Sequence, residues 1–388
     1  MRFSDFVEIN PAVKLRKGLT YPFIAMEDVA PGRRYVSPQI ERVYRGGGAK
    51  FLSGDTLFAR ITPCLENGKI AQFLASDSEL GFGSTEFFVF RHREGISDPG
   101  YVFYLAYTNI VRKPAEKSMV GASGRQRADL ASIRYLDVPA PPLATQRKIA
   151  AILSAYDDLI ENNLRRIKIL EEMARLIYRE WFVNFRFPGH ENVKMIDSPL
   201  GRIPEGWEIK KTKEVVKRLK AGNTYTMNDV EEIGEVIVVD QSRNEYLGFH
   251  SNEADHKASP DKPIIIFGDH TCKMQLMVEP FSVGPNVVPF VAVNNLSIYY
   301  VFFLVKDLVS TQEYKRHWTE LSNKQVAVSL TGITKQFANL VIPMFEDIET
   351  LRRKNINLSC TRDLLLPKLI SRELDVSELD IDIGEEPA

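Results

Sequence analysis

Cysteine is scarce in this chain, with only Cys64, Cys272 and Cys360 among 388 residues. They lie far apart and no C-x-x-C occurs, so neither a zinc ribbon nor a disulfide framework is expected, and a reducing cytoplasm is the natural compartment. No run approaches 18 uninterrupted apolar residues, so no membrane-spanning helix is expected. The opening residues, MRFSDFVEINPAVKLRKG, lack the apolar stretch of a signal peptide. Phosphate-cradling motifs are missing as well. There is no G-x-x-x-x-G-K-[ST], and Gly81-Phe82-Gly83-Ser84 is a fragment of the dinucleotide fingerprint that leads into a strand. The six histidines show no H-E-x-x-H spacing.

The remaining catalytic patterns are incomplete. Asp137-Val138-Pro139-Ala140-Pro141-Pro142-Leu143 holds a proline pair without the aromatic residue that follows it in amino-methyltransferase motifs. Ser259-Pro260-Asp261-Lys262 begins like a nuclease motif, but no E-x-K follows at short range. Asp55, Glu66 and Lys69 can be imagined as a metal-nuclease cluster; a hairpin with ordinary surface charges is the simpler reading. The chain is therefore expected to hold no catalytic residues, no metal and no cofactor of its own.

What the chain does have is a long heptad pattern. The seam Ile149, Leu153, Tyr156, Ile160, Asn163, Ile167, Leu170, Ala174, Ile177, Trp181 alternates steps of four and three, the coiled-coil repeat, with Asn163 as its one polar member. A helix from Thr145 to Trp181 is roughly 55 Å long at 1.5 Å per residue. Pro139, Pro141 and Pro142 form a rigid lead-in and Thr145 is a possible cap. Phe187-Pro188-Gly189 punctuates the end.

Two segments flank this helix and look like weak copies of each other. The first shows short strand-like runs at Tyr21–Ala25, Thr56–Ile61, Lys69–Leu74 and Glu86–Arg91, then a helix-like stretch from Pro99 to Arg112. In the second, Lys262–Asp269 echoes the strand near Gly54-Asp55, and Leu296–Leu308 echoes the helix at Tyr101. Asn339-Leu340-Val341-Ile342-Pro343 echoes Tyr135–Pro139, and the two prolines stand 204 residues apart. After Pro343 a second helix is expected, with Leu351, Leu358 and Leu365 every seven residues. Its heptad partners Ile348, Asn355, Arg362 and Leu369 include two polar residues, and Pro367 is expected to end or kink it. The resulting fold class is α+β: two similar domains joined by two long antiparallel coiled-coil helices, with pseudo-two-fold symmetry. The expected boundaries are 1–142 for the first domain, 143–187 for the first long helix and 188–206 for a linker. The second domain takes 207–343, the second helix 344–374 and an acidic tail 375–388.

Charge is balanced overall at −1, but Glu373–Ala388 holds seven acids and no Lys or Arg, leaving a body of +6. A mildly basic body permits nucleic-acid binding. The tail reads as solvated. Recognition-type residues stand out in two places. Arg125, Gln126 and Arg127 sit in a loop flanked by Gly121, Ser123 and Gly124, where the chain can approach a phosphate, and Arg and Gln are side chains that read guanine and adenine edges. Ser84 and Thr85, with Glu86, offer donors and an acceptor at a strand start. In the second segment, Asn323, Lys324 and Gln325 fall at a roughly similar position to the Arg125 loop.

These features together resemble the DNA-specificity subunit of type I restriction–modification systems. The motifs are Pro141-Pro142-Leu143-Ala144-Thr145-Gln146-Arg147-Lys148-Ile149-Ala150 and Tyr178-Arg179-Glu180-Trp181-Phe182-Val183-Asn184-Phe185. With them come Leu200-Gly201-Arg202-Ile203-Pro204-Glu205-Gly206-Trp207 and Leu364-Leu365-Leu366-Pro367-Lys368-Leu369-Ile370-Ser371. Gly54–Arg60 and Gly83–Phe87 look like the family's target-recognition pattern. Met344-Phe345-Glu346-Asp347-Ile348 departs from the usual Pro-Pro-Leu-x-x-Gln before the second helix. The resemblance implies a non-catalytic, cytoplasmic subunit of a phage-defence complex that reads a bipartite target in double-stranded DNA. It implies partnership with two methyltransferase subunits and with motor–nuclease subunits, helices that set the spacer, and no membrane. S-adenosylmethionine, ATP and Mg are then expected on the partners. The candidate DNA contacts are Arg60, Ser84, Thr85, Arg125, Gln126 and Arg127 in the first domain, and Asp269, Lys273, Asn323, Lys324 and Gln325 in the second. The alternatives are a cryptic nuclease or methyltransferase, which lacks motifs, and a coiled-coil adaptor without DNA binding, which leaves the paired domains unexplained.

Overall fold

The computed structural model of the chain describes residues 1–75, 80–122, 124–231, 234–242, 246–293, 295–311 and 315–381. It divides into two compact units. Unit one comprises Met1–Asn163 and Lys354–Ala388, and unit two comprises Leu164–Arg353.

Unit one opens with α1 (Phe3–Phe6), β1 (Val7–Ile9), β2 (Thr20–Ile24), β3 (Tyr35–Val36), β4 (Ile40–Val43) and β5 (Ala49–Leu52). It continues with β6 (Thr56–Ala59), β7 (Ile70–Phe73), β8 (Leu80–Gly83) and β9 (Phe87–His92). One sheet runs β1-β9-β6-β7-β3 and a second runs β4-β2-β8-β5. β6, β7 and most of β9 are buried on both faces, which is why they read as continuous apolar runs and not as alternating strands. In the turn between β4 and β5, Gly48 has φ +75°, and a Cβ there would stand 2.5 Å from the Gly83 carbonyl oxygen, so no side chain fits. The helices are α2 (Pro99–Tyr107), α3 (Asn109–Lys117), α4 (Ala131–Arg134) and α5 (Leu143–Tyr178). α2 starts where Asp98 accepts from the Tyr101 amide and Pro99 takes the first turn. It buries Tyr101 through Ala106 against the first sheet.

α5 starts at Leu143, ahead of Thr145, so Thr145 is a buried residue of the first turn and not the cap. It passes into a π-helical turn over Arg179–Val183. The segment expected as a linker instead pairs β10 (Met195–Ser198) with β11 (Gly201–Pro204).

Unit two then lays down β12 (Trp207–Lys211), α6 (Thr212–Val215), β13 (Val216–Arg218), β14 (Val236–Val239), β15 (Gly248–His250) and β16 (Ile264–Gly268). β17 (Met274–Met277), β18 (Phe281–Val283), β19 (Val287–Ala292), α7 (Ile298–Val305), α8 (Trp318–Asn323), β20 (Gln325–Ser329) and α9 (Ile333–Ile370) follow. The repeat is topological. β13-β19-β16-β17 has the order of β1-β9-β6-β7, and β15-β14-β18 has the order of β4-β2-β8, including a parallel central pair in each. A four-residue helix precedes the edge strand both times, α1 before β1 and α6 before β13.

Three expectations need correction. The second long helix begins at Ile333, before Pro343, so Asn339–Pro343 is helical and does not echo Tyr135–Pro139. Phe337, Val341, Phe345 and Ile348 are buried at helical spacing across that stretch, and this packing outweighs the one missing proline donor. The helix likewise runs through Pro367 to Ile370, because Leu366, Leu369 and Ile370 are buried in the core of unit one. The acidic tail is not wholly solvated: Val376 is buried, Ile381 packs on the same core, and Lys148 Nζ donates to the Ser377 carbonyl at 2.6 Å. Residues 382–388 of the expected tail lie outside the described residues.

The seam itself is corrected at one position. Asp157, not Tyr156, points inward and is 2% exposed. Its carboxylate takes the Arg362 guanidinium at 2.5 Å and the Tyr104 hydroxyl. Burial pushes the Asp157 carboxyl up, while the charge of Arg362 and the tyrosine hydrogen bond pull it down. Asn163 is therefore not the only polar seam residue. It donates from Nδ2 to Asn355 Oδ1 at 2.8 Å. The two polar residues on the second helix, Asn355 and Arg362, thus meet the two on the first, in antiparallel order.

Candidate nucleic-acid interface

Strands β6 and β9 pair so that Ala59 lies opposite Phe87, and just beyond this pair the Arg60 amide donates to the Glu86 carbonyl at 3.0 Å. A third segment closes the corner: the Ala128 amide donates to the Arg60 carbonyl at 2.8 Å, and Arg127 bridges to both Ile61 and Val120. Arg60, Glu86 and Arg127 are brought together in this way from three distant stretches of sequence.

Their side chains form one cluster. Arg127 grips Glu86 through Nη2 at 2.7 Å and through Nε at 3.0 Å, and Arg60 Nε reaches the same carboxylate at 3.2 Å. Hydrogen bonding from Arg127 holds the Glu86 carboxyl below its ordinary range, with Arg60 adding to it. Arg60 also lies over the Phe88 ring, 5.5 Å from its centroid. Guanidinium has five donors, and Glu86 occupies only one edge of Arg127. Among the described residues the end carrying Nη1 has no partner, and it presents the planar fork that matches N7 and O6 of guanine or a phosphate.

Around this node, Arg60 and Thr85 line a cleft of about 410 Å³ together with Lys50 of β5 and Phe88 of β9. Thr85 is exposed, whereas the Ser84 hydroxyl accepts from the Glu86 amide and shapes the turn. Gln126 is held by its backbone, its amide on Thr62 Oγ1 at 3.0 Å and its carbonyl on the Thr62 amide at 3.0 Å. Arg125 is exposed. Ser123 of the same loop lies outside the described residues. Asp55 is separate from all of these. It is bound by Arg91 at 2.6 Å and by the Leu52 amide, and Lys69 reaches the Met26 carbonyl, so these two do not face a common centre.

The second-domain candidates are dispersed. Asp269 is buried and accepts from the Trp318 amide at 2.8 Å, so it caps α8 from outside the helix. Lys273 Nζ reaches the Asp240 carbonyl at 3.2 Å. Asn323 donates to the Thr319 carbonyl, Lys324 pairs with Glu320 at 3.5 Å, and Gln325 opens β20 opposite Lys211. These three exposed residues sit at the end of α8 and do not reproduce the Arg125 loop, which packs beside the ends of β6 and β9. Sequence reading saw Glu86 as an acceptor but not its arginine partner 41 residues away, and it missed Lys50 altogether. No local signal links either to the site; only the sheet order does.

A chain that carries one two-sheet recognition fold twice, each copy tied to a share of the same long helices, is a tandem-domain protein with an arginine-bearing corner. Residues 3–172 match the family model described as the type I restriction modification DNA specificity domain. The type I restriction enzyme MjaIX specificity subunit of Methanocaldococcus jannaschii is 27% identical over 304 residues, covering 72% of this chain and 70% of that protein. The type I restriction enzyme EcoAI specificity subunit of Escherichia coli is 28% identical over 135 residues, 34% of this chain and 23% of that protein. The solved S subunit of a type I restriction–modification system from M. genitalium aligns over 95% of each chain at 14% identity with a TM-score of 0.48. The chain is thus similar to type I restriction–modification specificity subunits, through the domain match over residues 3–172 and through a relative 27% identical over 72% of its length.

Proposed function

We propose that this chain is the sequence-reading subunit of a type I restriction–modification complex, with each domain contacting one half of a bipartite DNA target. The observation that carries the reading is the duplicated topology, in which two sheets of matching order are each followed by a long helix. One domain type repeated in one chain suits two half-sites read by related surfaces. The Arg60–Glu86–Arg127 cluster supplies the chemistry in the first domain: charge for phosphate and a planar fork for a base edge.

The chain works as a non-catalytic member of its complex in the cytoplasm. Two methyltransferase subunits dock on the long helices, whose exposed apolar residues include Leu159, Ile169, Met173 and Leu364. Motor–nuclease subunits join them. S-adenosylmethionine, ATP and Mg belong to those partners. Co-expression and native mass measurement is expected to give one copy of this chain to two methyltransferases. Strand-resolved mapping of methylated adenines in a host carrying the complex is expected to return two short half-sites separated by a nonspecific spacer. A single contiguous site, or none, would overturn the reading.

A further inference from the structure

The corner that brings Arg60, Glu86 and Arg127 together has a counterpart in unit two, built from residues with no sequence likeness to it. Gly268 of β16 lies opposite Val287 of β19, as Ala59 lies opposite Phe87. The Asp269 amide donates to the Asn286 carbonyl at 2.8 Å, as Arg60 does to Glu86. The His317 amide donates to the Asp269 carbonyl at 2.8 Å, as Ala128 does to Arg60. These backbone bonds align Arg60 with Asp269, Glu86 with Asn286 and Ala128 with His317. The residue before each of the last pair is an arginine: Arg127 in unit one, Arg316 in unit two.

The charge pattern at the two corners is related but rearranged. In unit one the acid is on the β9 side and two arginines share it. In unit two the acid, Asp269, has moved to the β16 side, and Arg316 Nε stands 3.9 Å from its Oδ2. The Arg316 side chain is 75% exposed, against 46% for Arg127. Asp269 is itself fixed, because its other oxygen caps α8 through the Trp318 amide. A buried carboxylate held by the Trp318 amide draws the exposed guanidinium toward it, and among the described residues no other ion pair takes the Arg316 donors.

We propose that Arg316 is the specificity-determining arginine of the second domain, the structural counterpart of Arg127, and that Asp269 is its positioning residue. This rests on the reading that the chain contacts a bipartite DNA target. The ligand is a base edge with two acceptors, for which guanine N7 and O6 are the match in the major groove. Asn323, Lys324 and Gln325, one helix further on, are not required for that readout.

The test is selection of bound duplexes from a randomised library by the full chain, with the selected half-sites compared between variants. The wild-type chain is expected to select two half-sites, and selecting none overturns the underlying reading and the inference with it. Arg316→Ala is expected to relax one position of one half-site by roughly tenfold or more while leaving the other half-site intact. Arg127→Ala is expected to do the converse. Arg316→Lys keeps the charge without the planar fork, and is expected to recover overall affinity but not the lost base preference. With a wild-type motif in hand, an unchanged motif in Arg316→Ala overturns the assignment. So does a uniform loss across all sequences, which marks a phosphate contact. Because Arg316 is largely exposed, its replacement leaves the fold intact, and circular dichroism of each variant checks this.

Discussion

The two units bring the same pair of long helices together by different means. In unit one the helices meet across polar layers, Asp157 with Arg362 and Asn163 with Asn355, flanked by Leu153 and Ile160. In unit two they meet through aromatic rings. Phe182 lies 5.3 Å from Phe337, 4.6 Å from Tyr300 and 5.8 Å from Trp207, and Tyr178 stacks on Phe303 at 5.5 Å. Apolar packing contributes more stability but accepts many registers, since rings pack wherever volume allows. A buried ion pair contributes little net stability yet strongly disfavours any register that strands one charge. The contrast assigns register to unit one and most of the helix-pairing stability to unit two.

The largest effects are expected from removing one member of each device. Asp157→Ala takes from Arg362 its buried carboxylate, leaving it the half-exposed Asp363 and the Gly32 carbonyl, and is expected to destabilise unit one by about 3 kcal/mol, the low end for a broken buried pair. Phe182→Ala empties the aromatic cluster and is expected to cost unit two a similar amount, about 3–5 kcal/mol. The readouts are separable, because the three tryptophans, Trp181, Trp207 and Trp318, all belong to unit two. Tryptophan fluorescence follows unit two alone, and peptide-resolved hydrogen exchange follows unit one. If Asp157→Ala lowered both transitions equally, the two units would form one cooperative body and the comparison would break.

A pH dependence sharpens the same contrast. Glu349, on the part of α9 within unit two, is hydrogen-bonded to Glu279. Burial and that second carboxyl raise it from an ordinary value of 4.5 to about 8, against the pull of Arg352 and Arg353. The folded state therefore holds a proton that the unfolded chain releases. The associated stability is fully present below about 4.5 and is lost as pH rises toward about 8. Glu349→Gln is expected to flatten this slope in the tryptophan signal and to stabilise unit two at the alkaline end. An identical slope in the variant would place the dependence elsewhere.

Smaller changes are expected at the asparagine layer. Asn163→Leu by itself leaves the Asn355 amide without its partner and is expected to cost about 1 kcal/mol or somewhat more. Replacing both residues by Leu is expected to match or exceed wild-type stability while loosening register, as for a single buried polar layer in a coiled coil. Equal losses from the single and double replacements would show that the pair contributes stability and not register. The least effect on folding is expected from Glu86→Gln, on the rim of the sheet. It frees Arg127, so the expected outcome is an unchanged melting temperature with a weaker preference at one position of the first half-site, read by duplex selection.

Much of this molecule was legible before any coordinates. Heptad spacing from Ile149 onward announced the long helix, because a period of 3.5 has few other physical meanings. The buried runs at Thr56–Ala59 and Ile264–Phe267 announced central strands, and the paired segments announced two domains. Motif order carried the resemblance to type I specificity subunits. Three features were hidden. The start of α9 was masked by Pro343, a local signal that tertiary burial of Phe337, Val341 and Phe345 overrides. The exchange of Tyr156 for Asp157 on the seam was hidden because a charged residue reads as exposed until Arg362, 205 residues away, is known to face it. The corners that hold Arg127 and Arg316 were hidden because their members come from three separate stretches of chain. Sequence by itself thus determined the first long helix, several central strands and that the plan occurs twice, since periodicity and burial preference are local properties of the chain. Only the tertiary structure decided which charges face each other, because ion pairing and sheet order join residues whose separation in sequence carries no information about their separation in space.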